Sequence, residues 1–116
     1  MHADVGVQRQ RIHIDREADV YNAAMLVYAL VQQAGARTLL ATEAATMVSE
    51  LGMNIVKYAG RGSLTLSVAD DPQRYLEVLA VDDGPGIADL TLALTERYSS
   101  QGTLGLGLPG VRRRMR

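Results

Sequence analysis

The chain has 116 residues, a formal net charge of −1 with both signs intermixed, and no cysteine. That length suits a single domain, residues 1–116, burying roughly 65% of its unfolded surface, and the charge balance argues against nucleic acid as a partner, because duplex binding needs a basic stripe to neutralise phosphates. Without cysteine there can be no disulfide, thiolate metal site or cysteine nucleophile; with apolar runs shorter than the ~18 residues of a membrane span and no basic-then-apolar leader after Met1, a cytoplasmic protein with no membrane partner is expected.

In chain order, Val5, Val7, Ile12 and Ile14 fall at even spacings and predict an opening strand over Val5 to Ile14. Ala18 to Ala34 turns to Ala, Leu, Val and Met, with Asp19 near its start and Gly35 just past its end, the punctuation of a helix. A second helix is predicted from Thr38 to Ala59, ended by Gly60-Arg61-Gly62, with Leu40, Ala44, Met47, Val48, Leu51, Ile55 and Tyr58 in one apolar stripe. Ser63 to Ala69 alternates Leu64, Leu66 and Val68 with polar residues, and a turn over residues 70–74 leads to an apolar strand from Tyr75 to Val81, so the two read as a hairpin. Ala88 to Gln101 has no strong period and reads as a mobile connector; Gly102 to Gly110 then opens a final helix, in which Arg112, Arg113, Arg114 and Arg116 would complement the C-terminal dipole.

Three segments carry chemistry. Glu50 and Asn54 are one turn apart, about 40° around the helix, at the border of the apolar stripe, and Lys57 continues the same flank. An amide oxygen with phosphate oxygens makes a shell for Mg²⁺, an ammonium offsets phosphate charge, and the carboxylate is left to act as a base. Taken alone, the same three residues also read as ordinary polar positions on a helix surface. At the end of the apolar strand, Asp82-Asp83-Gly84-Pro85-Gly86-Ile87 places a carboxylate where it needs a donor, and the exocyclic amine of adenine is one. Gly84 and Gly86 would let the backbone approach a purine, although Asp-Gly-Pro-Gly is equally good turn material. Gly105, Gly107 and Gly110 match G-x-G-x-x-G, but the dinucleotide fingerprint also needs a preceding strand and an acidic residue about 20 positions later, and neither is present. No Walker sequence occurs; what survives is a cluster of backbone amides suited to an anion.

Together, Ser49 to Tyr58, Asp82 to Ile87 and Gly102 to Gly110 resemble, in order and spacing, the asparagine box and the two glycine boxes of the GHKL ATPase superfamily. Tyr98-Ser99-Ser100 and the Gly-Leu-Gly-Leu-Pro-Gly-Val-Arg-Arg run most resemble its anti-sigma-factor type serine/threonine kinases, the RsbT/RsbW family, over roughly Val5 to Met115. The resemblance implies an α+β two-layer sandwich of the Bergerat type, with helices on one face of a mixed sheet and ATP between helix and lid. It implies Glu50 as general base, Asn54 as Mg²⁺ ligand and Lys57 as a phosphate contact. Asp82 would bind adenine, with Gly84, Gly86 and Ile87 beneath the base, Ala88 to Gln101 as lid, and Gly102, Thr103, Gly105, Leu106 and Gly107 around the phosphates. Such proteins continue past the second glycine box into a further strand, so an uncovered sheet edge is expected here.

The function implied is ATP- and Mg²⁺-dependent phosphorylation of Ser or Thr on a STAS-domain anti-sigma antagonist, in a stress or sigma-factor pathway. The alternative is a nucleotide-gated binding module that captures a sigma factor or a PP2C-type phosphatase without transferring phosphate. A histidine-kinase catalytic domain is disfavoured, since neither His2 nor His13 lies in a predicted dimerising helix.

Overall fold

A computed structural model of the chain describes residues 8–69, 74–84, 86–94 and 112–115. The elements are β1 (Gln8–Ile14), α1 (Glu17–Gln33), α2 (Thr38–Tyr58), β2 (Gly62–Ala69), β3 (Tyr75–Asp82), β4 (Ile87–Ala93) and β5 (Arg112–Met115). The strands form one sheet in the order β1-β2-β3-β4-β5. Each neighbouring pair is antiparallel.

The α+β class therefore holds, but the sheet is antiparallel where a mixed one was expected. Every strand follows its predecessor in the sheet, and the helices are inserted as a pair between β1 and β2, so no parallel crossover arises. The hairpin read from residues 63–81 is present, with Leu64 opposite Ala80 and Leu66 opposite Val78.

Period-two burial puts the core on one face of the sheet. Ile14, Leu64, Leu66, Leu76, Val78, Ala80, Leu92 and Leu94 are buried, whereas Arg9, Arg11 and His13, which alternate with Ile12 and Ile14, are exposed. The helices close that face with Val20, Ala23, Val27, Leu30 and Val31 from α1 and Leu40, Ala41, Ala44, Val48, Leu51 and Ile55 from α2. Full burial of an aliphatic side chain of this kind contributes about 1.5–3 kcal/mol, so this layer contact holds the two helices in place. Tyr58, placed in the stripe by its spacing, is 77% exposed. It is the last helical residue, and the buried face of α2 ends at Ile55.

Two segments differ from the sequence reading. Ala88 to Ala93, assigned to a connector and lid, belongs to β4 and pairs with β3 from Val81↔Ile87 to Tyr75↔Ala93. The two-residue period is present at Leu90, Leu92 and Leu94, but it is short and runs directly into a polar tail; residues 95–101 lie outside the described residues. Arg112–Met115, assigned to a final helix, is strand β5 and pairs with β4 from Thr91↔Arg112 to Ala88↔Met115. Arginine is a good helix former, but the open edge of β4 offers the backbone a ladder, and tertiary pairing overrides local propensity. Arg112, Arg113 and Arg114 thus belong to an edge strand rather than to a helix end, and the sheet edge expected to be bare carries four paired residues; Arg116 lies outside the described residues.

At the start of α1, the Asp19 carboxylate accepts from the backbone N–H groups of Asp15 (2.9 Å) and Arg16 (3.2 Å). The Asp15 bond is the largest influence that holds its pKa below the ordinary 3.8. A carboxylate depressed in the folded state stabilises the fold above its unfolded pKa, and loses that contribution as pH falls through the lower folded value. Thermal melts from about pH 5 to pH 2 should therefore fall less steeply below about pH 4 for Asp19→Asn than for the parent chain. Parallel curves would rule out this charged cap.

Candidate nucleotide site

The site starts from the way α2 is seated. Gly52 is buried, and a Cβ there would lie 2.9 Å from Val20 Cγ1 and 3.0 Å from Cγ2, so the two helices meet closely at this position. With Gly52, Leu51 and Ile55 turned into the core, helical geometry sends Glu50, Asn54 and Lys57 outward, and all three are exposed. Lys57 holds its ammonium 5.6 Å from the ring centroid of Tyr58. Past the helix, Gly60 takes φ +88°, the left-handed turn that lets its N–H donate to the Ile55 carbonyl at 2.9 Å.

That turn delivers Gly62 to the start of β2, opposite Asp82 at the end of β3. A Cβ on Gly62 would lie 2.3 Å from the Val81 carbonyl oxygen, 2.7 Å from Asp82 Cα and 3.1 Å from Ile55 Cγ2. The absence of a side chain here is what lets α2 and the strand end approach. Asn54 and Asp82, 28 positions apart in sequence, are linked where Ile55, the neighbour of Asn54, packs on Gly62, the ladder partner of Asp82.

Asp82 is half-buried and organises the glycine turn. Its N–H donates to the Gly86 carbonyl (3.1 Å), and Gly86 N–H donates back to Asp82 Oδ1 (3.0 Å). A Cβ on Gly86 would fall 2.4 Å from Asp82 Oδ2, and one on Gly84 would fall 3.4 Å from Oδ1. The turn and the site are thus one object: the backbone bends around the carboxylate and fixes its direction. Ile87 opens β4 opposite Val81. Gly102, Thr103, Gly105, Leu106 and Gly107 lie outside the described residues.

The structure adds a pair that the sequence did not suggest. Arg61 Nε donates to Asp83 Oδ2 at 2.7 Å, and Asp83 N–H donates to the Arg61 carbonyl at 3.0 Å. The Asp83 carboxylate raises the arginine pKa above its ordinary value. The partners are 22 positions apart and both exposed, and nothing in the local pattern pairs them. The register Gly62↔Asp82 is the only feature that could have, and it requires the hairpin to be known first.

Among the described residues, no three His, Cys, Asp or Glu side chains come together as a metal cage. An exposed amide one turn from an exposed carboxylate still suits Mg²⁺, which keeps several waters and takes the rest of its shell from phosphate oxygens.

A helix pair thus lies on one face of an antiparallel sheet, with the end of α2 packed on the strand that pairs with Asp82. Residues 40–116 match the family described as "Histidine kinase-, DNA gyrase B-, and HSP90-like ATPase", to which the chain belongs. It is 37% identical over 105 residues to the serine/threonine-protein kinase RsbT of Bacillus subtilis (strain 168), covering 90% of this chain and 79% of that protein. The relationship places it with the RsbT-like serine/threonine kinases of the family. No solved structure matches the chain. Among the described residues, no helix is long and apolar enough to cross a membrane.

Proposed function

We propose that the chain is a single-domain, cytoplasmic switch kinase that uses ATP and Mg²⁺ to phosphorylate Ser or Thr on a STAS-domain partner in a stress or sigma-factor pathway. One observation carries the reading: Glu50 and Asn54 occupy the exposed face of α2 while the adjoining Ile55 packs on Gly62, the ladder partner of Asp82. This packing supports a reading in which the acid, the amide and the Asp82 carboxylate serve one nucleotide, with Lys57 on the same helix.

In this reading Asp82 accepts from the adenine amine, and Gly84 and Gly86 keep the turn low enough for the base to lie over it. Asn54 holds Mg²⁺, which supplies neutralisation of charge at the transferring phosphoryl group. Lys57 offsets phosphate charge. Glu50 accepts the proton of the partner's hydroxyl as its oxygen bonds to the γ-phosphorus and ADP leaves. The glycines from Gly102 to Gly107 would supply backbone N–H groups to the phosphates.

The test is incubation with ATP, Mg²⁺ and a STAS-domain protein, followed by phosphosite mapping by mass spectrometry. A new phosphoserine or phosphothreonine on the partner is expected. Saturable ATP binding with an unmodified partner would instead favour a nucleotide-gated module that captures a sigma factor or a PP2C-type phosphatase.

A further inference from the structure

We infer that Arg61 is a positioning residue for adenine recognition, acting through Asp83 on the turn that carries Asp82; the inference rests on the reading of Asp82 given above. Arg61 grips Asp83 twice, by its guanidinium on the carboxylate at 2.7 Å and by its carbonyl on the backbone N–H at 3.0 Å. Asp83 is the first residue after β3, so the grip falls where the ladder stops and the turn begins. Asp82 on one side is tied to Gly62 by register, and Gly86 on the other closes the turn on Asp82 Oδ1. The Arg61–Asp83 contacts therefore extend the β2–β3 pairing one residue past the Gly62–Asp82 pair, into the start of the turn.

Magnitudes separate this role from simple stabilisation. The Arg61 and Asp83 side chains are 64% and 56% exposed, and an ion pair so open to water adds little to fold stability. What a two-point tether can do is hold direction. Gly86 N–H donates to Asp82 Oδ1, so the turn sets the direction of the carboxylate, and a hydrogen bond from a ligand to that carboxylate would weaken steeply as its angle opens. Arg61 thus holds the turn in register so that the Asp82 carboxylate meets the adenine amine.

The experiment is calorimetric titration of ATP and GTP into the parent chain and into Arg61→Ala, Asp83→Ala, the double variant, Arg61→Lys and Asp82→Asn, with thermal melts and amide exchange at Gly86 measured alongside. Loss of a well-aimed hydrogen bond corresponds to about a tenfold loss of affinity. Arg61→Ala and Asp83→Ala should each weaken ATP by about that factor and lower the ATP-to-GTP preference, with faster Gly86 exchange and nearly unchanged melting. The double variant should be no worse than either single one, and Arg61→Lys should recover part of the loss. ATP affinity within twofold of the parent in Arg61→Ala, while Asp82→Asn weakens it, would overturn the Arg61 assignment alone. Loss in Arg61→Ala without loss in Asp83→Ala would also overturn it, since the guanidinium would then be touching phosphate directly. Unchanged affinity in Asp82→Asn, or no ATP binding by the parent chain, would overturn the underlying reading of the site.

Discussion

Replacing Glu50 by alanine is expected to abolish phosphoryl transfer while leaving ATP affinity and folding intact. The side chain is exposed on α2 and contributes nothing to the buried stripe. Surface substitutions of this kind usually stay within about 0.5 kcal/mol, and alanine is the better helix former. Any large effect must therefore be chemical. Removing a positioned general base typically lowers turnover by about 10²–10⁴-fold, and that is the loss expected in a single-turnover assay with a phosphorylatable partner. Equal losses in ATP binding and turnover would assign Glu50 to the nucleotide instead of to the hydroxyl proton.

Gly62→Ala carries the largest structural effect expected. The added Cβ would meet backbone atoms, the Val81 carbonyl and Asp82 Cα, as well as Ile55 of α2. Backbone in a paired ladder cannot turn aside as a flexible side chain can, so either the β2–β3 hairpin shifts or α2 lifts away. Overpacking of this sort costs about 1–3 kcal/mol, and in a chain of this size a melting temperature lower by roughly 5–15 °C is expected. ATP affinity should fall with it, because both shifts separate Asn54 from Asp82. Gly60→Ala is the contrast: nothing lies within 4 Å of its Cβ, and only the left-handed φ is strained, at about 1–2 kcal/mol. A Gly62→Ala chain that melts with the parent would show that the contact between helix and strand end is not close-packed.

Much of this architecture was legible before any coordinates. Composition and end punctuation mark α1, an apolar stripe of helical period marks α2, alternation marks β2, and an apolar run marks β3, because the described helices and strands bury one face each. Glu50 and Asn54 could be placed on one helical flank by spacing alone. What could not be read depends on partners distant in sequence. The alternation of Leu90, Leu92 and Leu94 is too short to outweigh the polar tail beside it, and it becomes a strand through pairing with β3. Arg112–Met115 has the composition of a helix end, yet it lies along β4. Gly62 reads as a helix stop, and its steric role is visible only once Asp82 stands opposite. The Arg61–Asp83 pair leaves no local trace, since exposed opposite charges are common throughout the chain.

The proposed kinase function depends on Asp82 reading adenine at the end of β3. Its most direct test is a calorimetric titration of ATP into the parent chain and Asp82→Asn. Saturable binding to the parent, weakened at least about tenfold in the variant with folding preserved, is the predicted result; ATP binding equally well to both would contradict it.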